Sequence, residues 1–97
     1  MSACYILHSQ SLNKYYVGST QLNPQDRLLK HNTFFYGSNK YTAMASDWQI
    51  FTVIECRSIV QARSVEAHIK KMKSRKYIEN LLTYPEMVER LLSKYNP

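Results

Sequence analysis

The strongest constraint on what this chain can fold into is the stretch from Ala3 to Thr20, which reads as two strands joined by a tight loop. Ala3 to His8 is apolar and aromatic, as a buried strand is, and Ser9 to Asn13 is rich in turn formers. Lys14 to Thr20 then resumes the β pattern. A loop this short makes an antiparallel hairpin the simplest connection. Side chains alternate along a strand, so Ala3, Tyr5 and Leu7 share one face of the first strand. Lys14, Tyr16, Gly18 and Thr20 share a face of the second. With those faces in register, Tyr5 and Tyr16 stand side by side and Gly18 leaves a gap next to them. The chain has only two glycines, and one inside a strand marks a bulge or the close approach of a ligand or another backbone. For a hairpin taken alone, two core tyrosines beside a bulge is the simpler account.

Downstream, Asn23-Pro24-Gln25-Asp26 has the form of a helix start: a capping Asn, a Pro preorganised for the first helical position and an acid at the positive end of the dipole. That helix runs to about Asn32, with Arg27 and His31 four apart on one face. Thr33 to Asp47 is aromatic-rich and irregular, with a turn at Gly37-Ser38-Asn39 and a short helix over Tyr41 to Ser46. This segment offers Tyr36, Lys40 and Tyr41 to a ligand. Trp48 to Cys56 is the strongest strand signal, apolar on both faces, which suits a central or covered strand. A long helix is predicted from Ile59 to Ser74, with Ala62, Val65, Ile69 and Met72 as its core stripe. Glu66 sits at the edge of that stripe, with Lys70 and Lys73 further along the same side. Tyr77 to Leu82 continues helically after a kink. Thr83-Tyr84-Pro85-Glu86 fits a capping box, opening a C-terminal helix whose apolar face is Met87, Val88, Leu91, Leu92 and Tyr95.

Ninety-seven residues make one domain, spanning 1–97, with room for one modest core. No apolar run approaches the roughly 20 residues of a membrane span, and no signal-peptide pattern opens the chain, so the expected location is the cytoplasm. In that compartment Cys4 and Cys56 are expected as reduced thiols, and no ligand spacing suggests structural zinc. Thirteen Lys and Arg against seven Asp and Glu give a formal charge of +6. Such a surplus on a small domain favours an anionic partner, nucleic acid first. Five of the cations fall between Lys70 and Lys76, although a run of this kind is ordinarily a solvated face.

Taken singly, the candidate residues carry little. Glu66 has the setting of a salt-bridged surface acid, Arg27 has Asp26 or Glu66 as candidate partners, His31 could cap its helix, and His8 and His68 have no evident partner. Their order changes the weighing. Tyr5, then Tyr16-Val17-Gly18, then Arg27 with His31 one turn on, then Glu66 on a later helix, resembles the GIY-YIG endonuclease superfamily, most closely its short stand-alone bacterial members. Ala3-Cys4-Tyr5 stands for Gly-Ile-Tyr and Tyr16-Val17-Gly18 for Tyr-Ile-Gly. Asp26 to Asn32 is similar to the catalytic arginine helix and Glu66 to Lys71 to the metal-binding glutamate helix. Of the first tripeptide only the tyrosine is kept, and Asn80 stands nearest to the asparagine the family often carries after its glutamate.

The resemblance implies an α/β fold with a three-stranded antiparallel sheet flanked by helices, here with an added C-terminal helix. It also implies a metal-dependent endonuclease, a role in DNA repair among those open to it, and Mg²⁺ or Mn²⁺ on Glu66. Arg27 would contact the phosphate or the attacking water, Tyr5 would be the general base, Tyr16 and His31 would orient it or share that role, and Gly18 would be structural at the site. Ionising a free tyrosine at neutral pH costs about 4 kcal/mol, which a guanidinium and a metal would offset. Lys14, Lys30, Lys40, Lys70, Lys73, Arg75 and Lys76 would hold the nucleic-acid backbone, DNA before RNA, with no sequence readout. Weakly specific or structure-selective cleavage is the corresponding expectation. Two other readings stand beside it: a nucleic-acid-binding module of the same fold without cleavage, and a basic domain for an acidic protein or lipid head groups. Oligomeric state is open.

Overall fold

Strand β1 (Ser2–Ser9) forms the centre of the molecule. Every residue from Ala3 to Leu7 is fully buried, because both edges of the strand are hydrogen-bonded and both its faces are covered. The computed structural model describes residues 2–21, 23–32 and 44–96; the side chain of Lys30 is outside that set, as are the expected turn at Gly37-Ser38-Asn39, the first half of the helix expected over Tyr41 to Ser46, and the side chains of Tyr36, Lys40 and Tyr41. On one edge β1 pairs antiparallel with β2 (Lys14–Thr20), and on the other with β3 (Trp48–Cys56), so the order is β2-β1-β3.

The faces come together as alternation predicts, and the register puts Ala3 opposite Thr20, Tyr5 opposite Gly18 and Leu7 opposite Tyr16, so Tyr5 and Tyr16 are diagonal neighbours. Asn13 closes the loop in the left-handed region (φ 52°), which Asn tolerates better than most residues. Of the two settings expected for β3, central or covered, the first is corrected: it is an edge strand, with Val53 36% exposed, yet its side chains enter the cores on both faces of the sheet. Its run looks apolar on both faces because Phe51 and Ile54 serve one layer while Trp48 and Ile50 serve the other. A bulge accommodates this, with Ile6 opposite Thr52 but Leu7 opposite Ile50, leaving Phe51 as the extra residue.

Helix α1 (Pro24–Asn32) begins as predicted, the Asn23 carboxamide accepting from the Gln25 N–H at 2.9 Å. At its far end the Asn32 side chain pairs both ways with Trp48, accepting from its N–H (2.8 Å) and donating to its carbonyl (2.9 Å). These bonds lock α1 to the start of β3. Helix α2 (Ile59–Met72) is capped by Ser58, which accepts from the Gln61 N–H. Gln61 is itself buried, and its amide donates to the carbonyl of Leu92.

Three helical expectations are corrected. Met72 is 45% exposed rather than part of the core stripe, since α2 ends there. The break lies at Lys73, in the left-handed conformation (φ 49°), and Ser74, which caps α3 (Arg75–Thr83), not at Tyr77. No capping box forms at Thr83: its hydroxyl bonds back to the Glu79 carbonyl, and Tyr84 opens α4 (Pro85–Lys94) without a side-chain cap. Pro85 at the first helical position does that work instead.

The sheet separates two cores. Cys4, Ile6, Val17 and Ile54 pack against Val65 and Ile69 of α2, Ile78 and Leu81 of α3 and Leu91 of α4. Tyr5, Leu7 and Trp48 pack on the opposite face with Tyr16, Leu28 and Ile50. Cys4 is buried and Cys56 half-buried, both as free thiols, and burial pushes both thiol pKa values up. Among the described residues no helix is long and apolar enough to cross a membrane.

Candidate active site

Tyr5 lies fully buried at the middle of β1, directly opposite Gly18. The gap left by that glycine is taken by the tyrosine itself: a Cβ on Gly18 would lie 2.5 Å from the Tyr5 hydroxyl oxygen and 2.6 Å from Cζ. Only hydrogen at this position lets the ring lie flat across the neighbouring strand. Gly18 is thus a steric requirement of the Tyr5 pose.

Two side chains of α1 meet the phenol. His31 Nε2 is 2.9 Å from the Tyr5 hydroxyl, and Arg27 Nε donates to the same oxygen at 3.4 Å. Arg27 can only donate, so the Tyr5 oxygen accepts from it, while the direction of the bond between the hydroxyl and His31 Nε2 is set by the His31 tautomer. Burial, and secondarily the Arg27 charge, lower the His31 pKa from 6.5 to about 4, so at pH 7 the ring is uncharged. Tyr16, half-buried, completes the group, with its ring centroid 4.8 Å from that of His31 and 6.4 Å from that of Tyr5.

Glu66 reaches this group around the open edge of β2. Its Oε1 accepts from the Ser19 hydroxyl at 2.6 Å, and its Oε2 holds the Lys70 ammonium at 2.6 Å. The same ammonium lies 5.8 Å from the centre of the Tyr16 ring. Ser19 and Tyr16 point to opposite faces of β2, so Lys70 spans the strand's edge. Arg27, Tyr5, His31, Tyr16, Lys70, Glu66 and Ser19 therefore form one unbroken series of contacts. Ser19 was not singled out in the sequence; its one available signal is its place directly after Gly18 on a strand whose other face bears Tyr16.

Of the predicted backbone-binding cations, Lys14, Lys70, Lys73 and Arg75 line one cleft of about 300 Å³ between β2, α2 and α3. Arg75 is anchored there, donating to the Asn13 carbonyl at 2.6 Å and to its side-chain oxygen at 2.7 Å. Lys76 is exposed and does not line that cleft. Asn80 lies half-buried in α3, and its carbonyl accepts from the Tyr84 N–H; no hydrogen bond among the described residues ties its side chain to the site. His68, left without a partner by the sequence, bonds the Tyr95 hydroxyl at 2.9 Å. His8 stacks on Tyr15 with centroids 4.7 Å apart.

Among the described residues no cluster of three or more His, Cys, Asp or Glu side chains could hold a metal. A single carboxylate nonetheless suits a hard divalent cation whose other ligands are waters and substrate phosphate. Glu66 has the character required: it is a hard oxygen donor, 20% exposed at the side chain, and already holds a cation in the form of the Lys70 ammonium. The residues present fit a weak, one-carboxylate site.

The family model described as the GIY-YIG catalytic domain matches residues 1–78 of the chain. Neither the curated proteins nor the solved structures give a match.

Proposed function

The chain belongs to the GIY-YIG family, a nuclease family generally dependent on a divalent metal, and from that premise we propose that it is an endonuclease hydrolysing phosphodiester bonds in nucleic acid, DNA foremost. The observation that carries the proposal is the Tyr5 hydroxyl, held between an arginine and a neutral histidine in a buried, aromatic setting. Phosphodiester hydrolysis needs an activated water and donors aimed at the scissile phosphate. Tyr5 acts as the base: as a phenolate stabilised by Arg27 it takes the proton of the attacking water, with His31 and Tyr16 orienting it. Because Tyr5 is fully buried in the free protein, its oxygen meets the attacking water only when substrate opens the site. Arg27 and Tyr16, both half-buried, orient the incoming phosphate and water.

Glu66 would hold Mg²⁺ or Mn²⁺, which when bound supplies charge neutralisation and help to the leaving oxygen. The cationic cleft of Lys14, Lys70, Lys73 and Arg75 holds the backbone and positions the strand without reading bases. The deciding experiment incubates branched, linear and single-stranded DNA and RNA with Mg²⁺ or Mn²⁺, alongside Glu66→Ala. Metal-dependent cleavage by the natural chain, lost in the variant with binding retained, is the expected result. The engagement of both Glu66 oxygens favours one alternative, a binding module without cleavage. That reading holds if no substrate is cut and Glu66→Ala changes nothing.

A further inference from the structure

Both oxygens of Glu66 are occupied by the chain's own donors, and only one of these donors is a cation. The Ser19 hydroxyl is neutral and can remain on Oε1 while a metal binds the carboxylate. The Lys70 ammonium cannot share Oε2 with a divalent ion without strong like-charge repulsion. Lys70 is also placed for a second role, because its side chain lines the cleft formed with Lys14, Lys73 and Arg75. Within that cleft the lining residues include four cations and no acid.

We propose that Lys70 is a displaceable internal counter-ion: it neutralises Glu66 in the metal-free protein and, when a divalent ion takes the carboxylate, turns into the cationic cleft to bind a backbone phosphate. Metal loading and substrate grip are thereby coupled through one ammonium. The proposal rests on the reading of Glu66 as the metal ligand. Ser19 has the complementary, fixed role of holding the carboxylate in one rotamer throughout, as a positioning residue. The ion pair is between neighbours one helical turn apart, with the Lys70 side chain 52% exposed. An exchange of this kind is cheap, since exposed pairs are worth little.

The test measures Mn²⁺ binding to the nucleic-acid-free protein by electron paramagnetic resonance of the free ion, in the natural chain and in Lys70→Met, Lys71→Met and Glu66→Gln. Lys71 has the same charge one residue on but lines a different hollow, with His68 and Lys94, so it controls for net charge. Lys70→Met is expected to bind Mn²⁺ about three- to fivefold more tightly, the value of one exposed ion pair, and Lys71→Met less than about twofold. Equal affinities in these two variants overturn the proposal while leaving the metal site standing. Unchanged Mn²⁺ binding in Glu66→Gln overturns the metal site itself.

A second measurement needs no metal. In EDTA, Glu66→Gln releases Lys70, so the salt dependence of duplex binding is expected to steepen by about one phosphate contact, roughly 0.9 in the log–log slope. Adding Lys70→Met to that variant is expected to cancel the change. An unaltered slope in Glu66→Gln sinks the second half of the proposal.

Discussion

The two faces of the sheet are built from the same strand and ask different things of it. Cys4 and Ile6 look into a largely apolar layer closed by α2, α3 and α4, where the buried amide of Gln61 is paired with the Leu92 carbonyl. Tyr5, one residue away, looks into a layer of rings where the buried His31 is bonded to the Tyr5 hydroxyl and packed against Tyr16. The first face holds the molecule together by area removed from water. The second is stabilised less, since its polar groups must be paired as they are buried, but it has a titratable oxygen in a defined position. One strand thus serves an apolar layer and a hydrogen-bonded ring layer on alternate residues.

The largest expected difference between the faces is in catalysis. Tyr5→Phe should lower kcat by about 10²–10⁴, the worth of a positioned general base, with little change in the unfolding midpoint. Metal-dependent cleavage kinetics beside a denaturant titration check this; a variant with full activity removes Tyr5 from the mechanism. Ile6→Ala, next to it on β1, should do the reverse. It is expected to cost about 2–5 kcal/mol of unfolding free energy and to leave kcat of the folded fraction unchanged, as measured by urea unfolding and by kinetics at low temperature.

Gly18→Ala should fall between these two. A methyl 2.5 Å from the Tyr5 oxygen forces the ring to shift, at about 1–3 kcal/mol, so stability and activity fall together. A third probe of the ring face is pH. The folded-state pKa of His31, about 4, lies below its ordinary 6.5, so the unfolded chain takes up the proton first. The stability this ring contributes is complete above pH 6.5 and drains away as pH falls toward 4. The loss is on the order of 2 kcal/mol, allowing for screening at a partly hydrated site. Thermal melts across that range should show it in the natural chain and not in His31→Gln. Activity, by contrast, should rise between pH 6 and 9 if the phenolate is the reacting form, since an ordinary tyrosine ionises near 10; a flat profile argues against it.

Much of this was legible in order and spacing. Period-two alternation placed Tyr5, Tyr16 and Gly18 on one face of the hairpin, and the four-residue separation of Arg27 and His31 brought both to one side of α1. Those are local consequences of backbone geometry, and the register bears them out. The misreadings concern junctions. Met72 was counted into a stripe that α2 does not live long enough to complete, because Lys73 turns left-handed and Ser74 captures the next helix. An apolar run such as Trp48 to Cys56 cannot distinguish a central strand from an edge strand whose bulge lets it serve two cores.

By itself the chain's order of residues determined the hairpin and the helix starts near Asn23 and Ile59, since each depends on neighbours within a turn or a strand; Tyr5, Tyr16, Arg27 and Glu66 stand out only through their order along the chain and the resemblance it carries. Tertiary structure decided who meets whom. That the Gly18 gap is filled by Tyr5, that Arg27 reaches the Tyr5 phenol, and that Ser19 and Lys70 hold Glu66 at the rim of β2 depend on contacts between residues up to 47 positions apart. Such contacts exist only once burial has closed both faces of the sheet, and no local pattern encodes them.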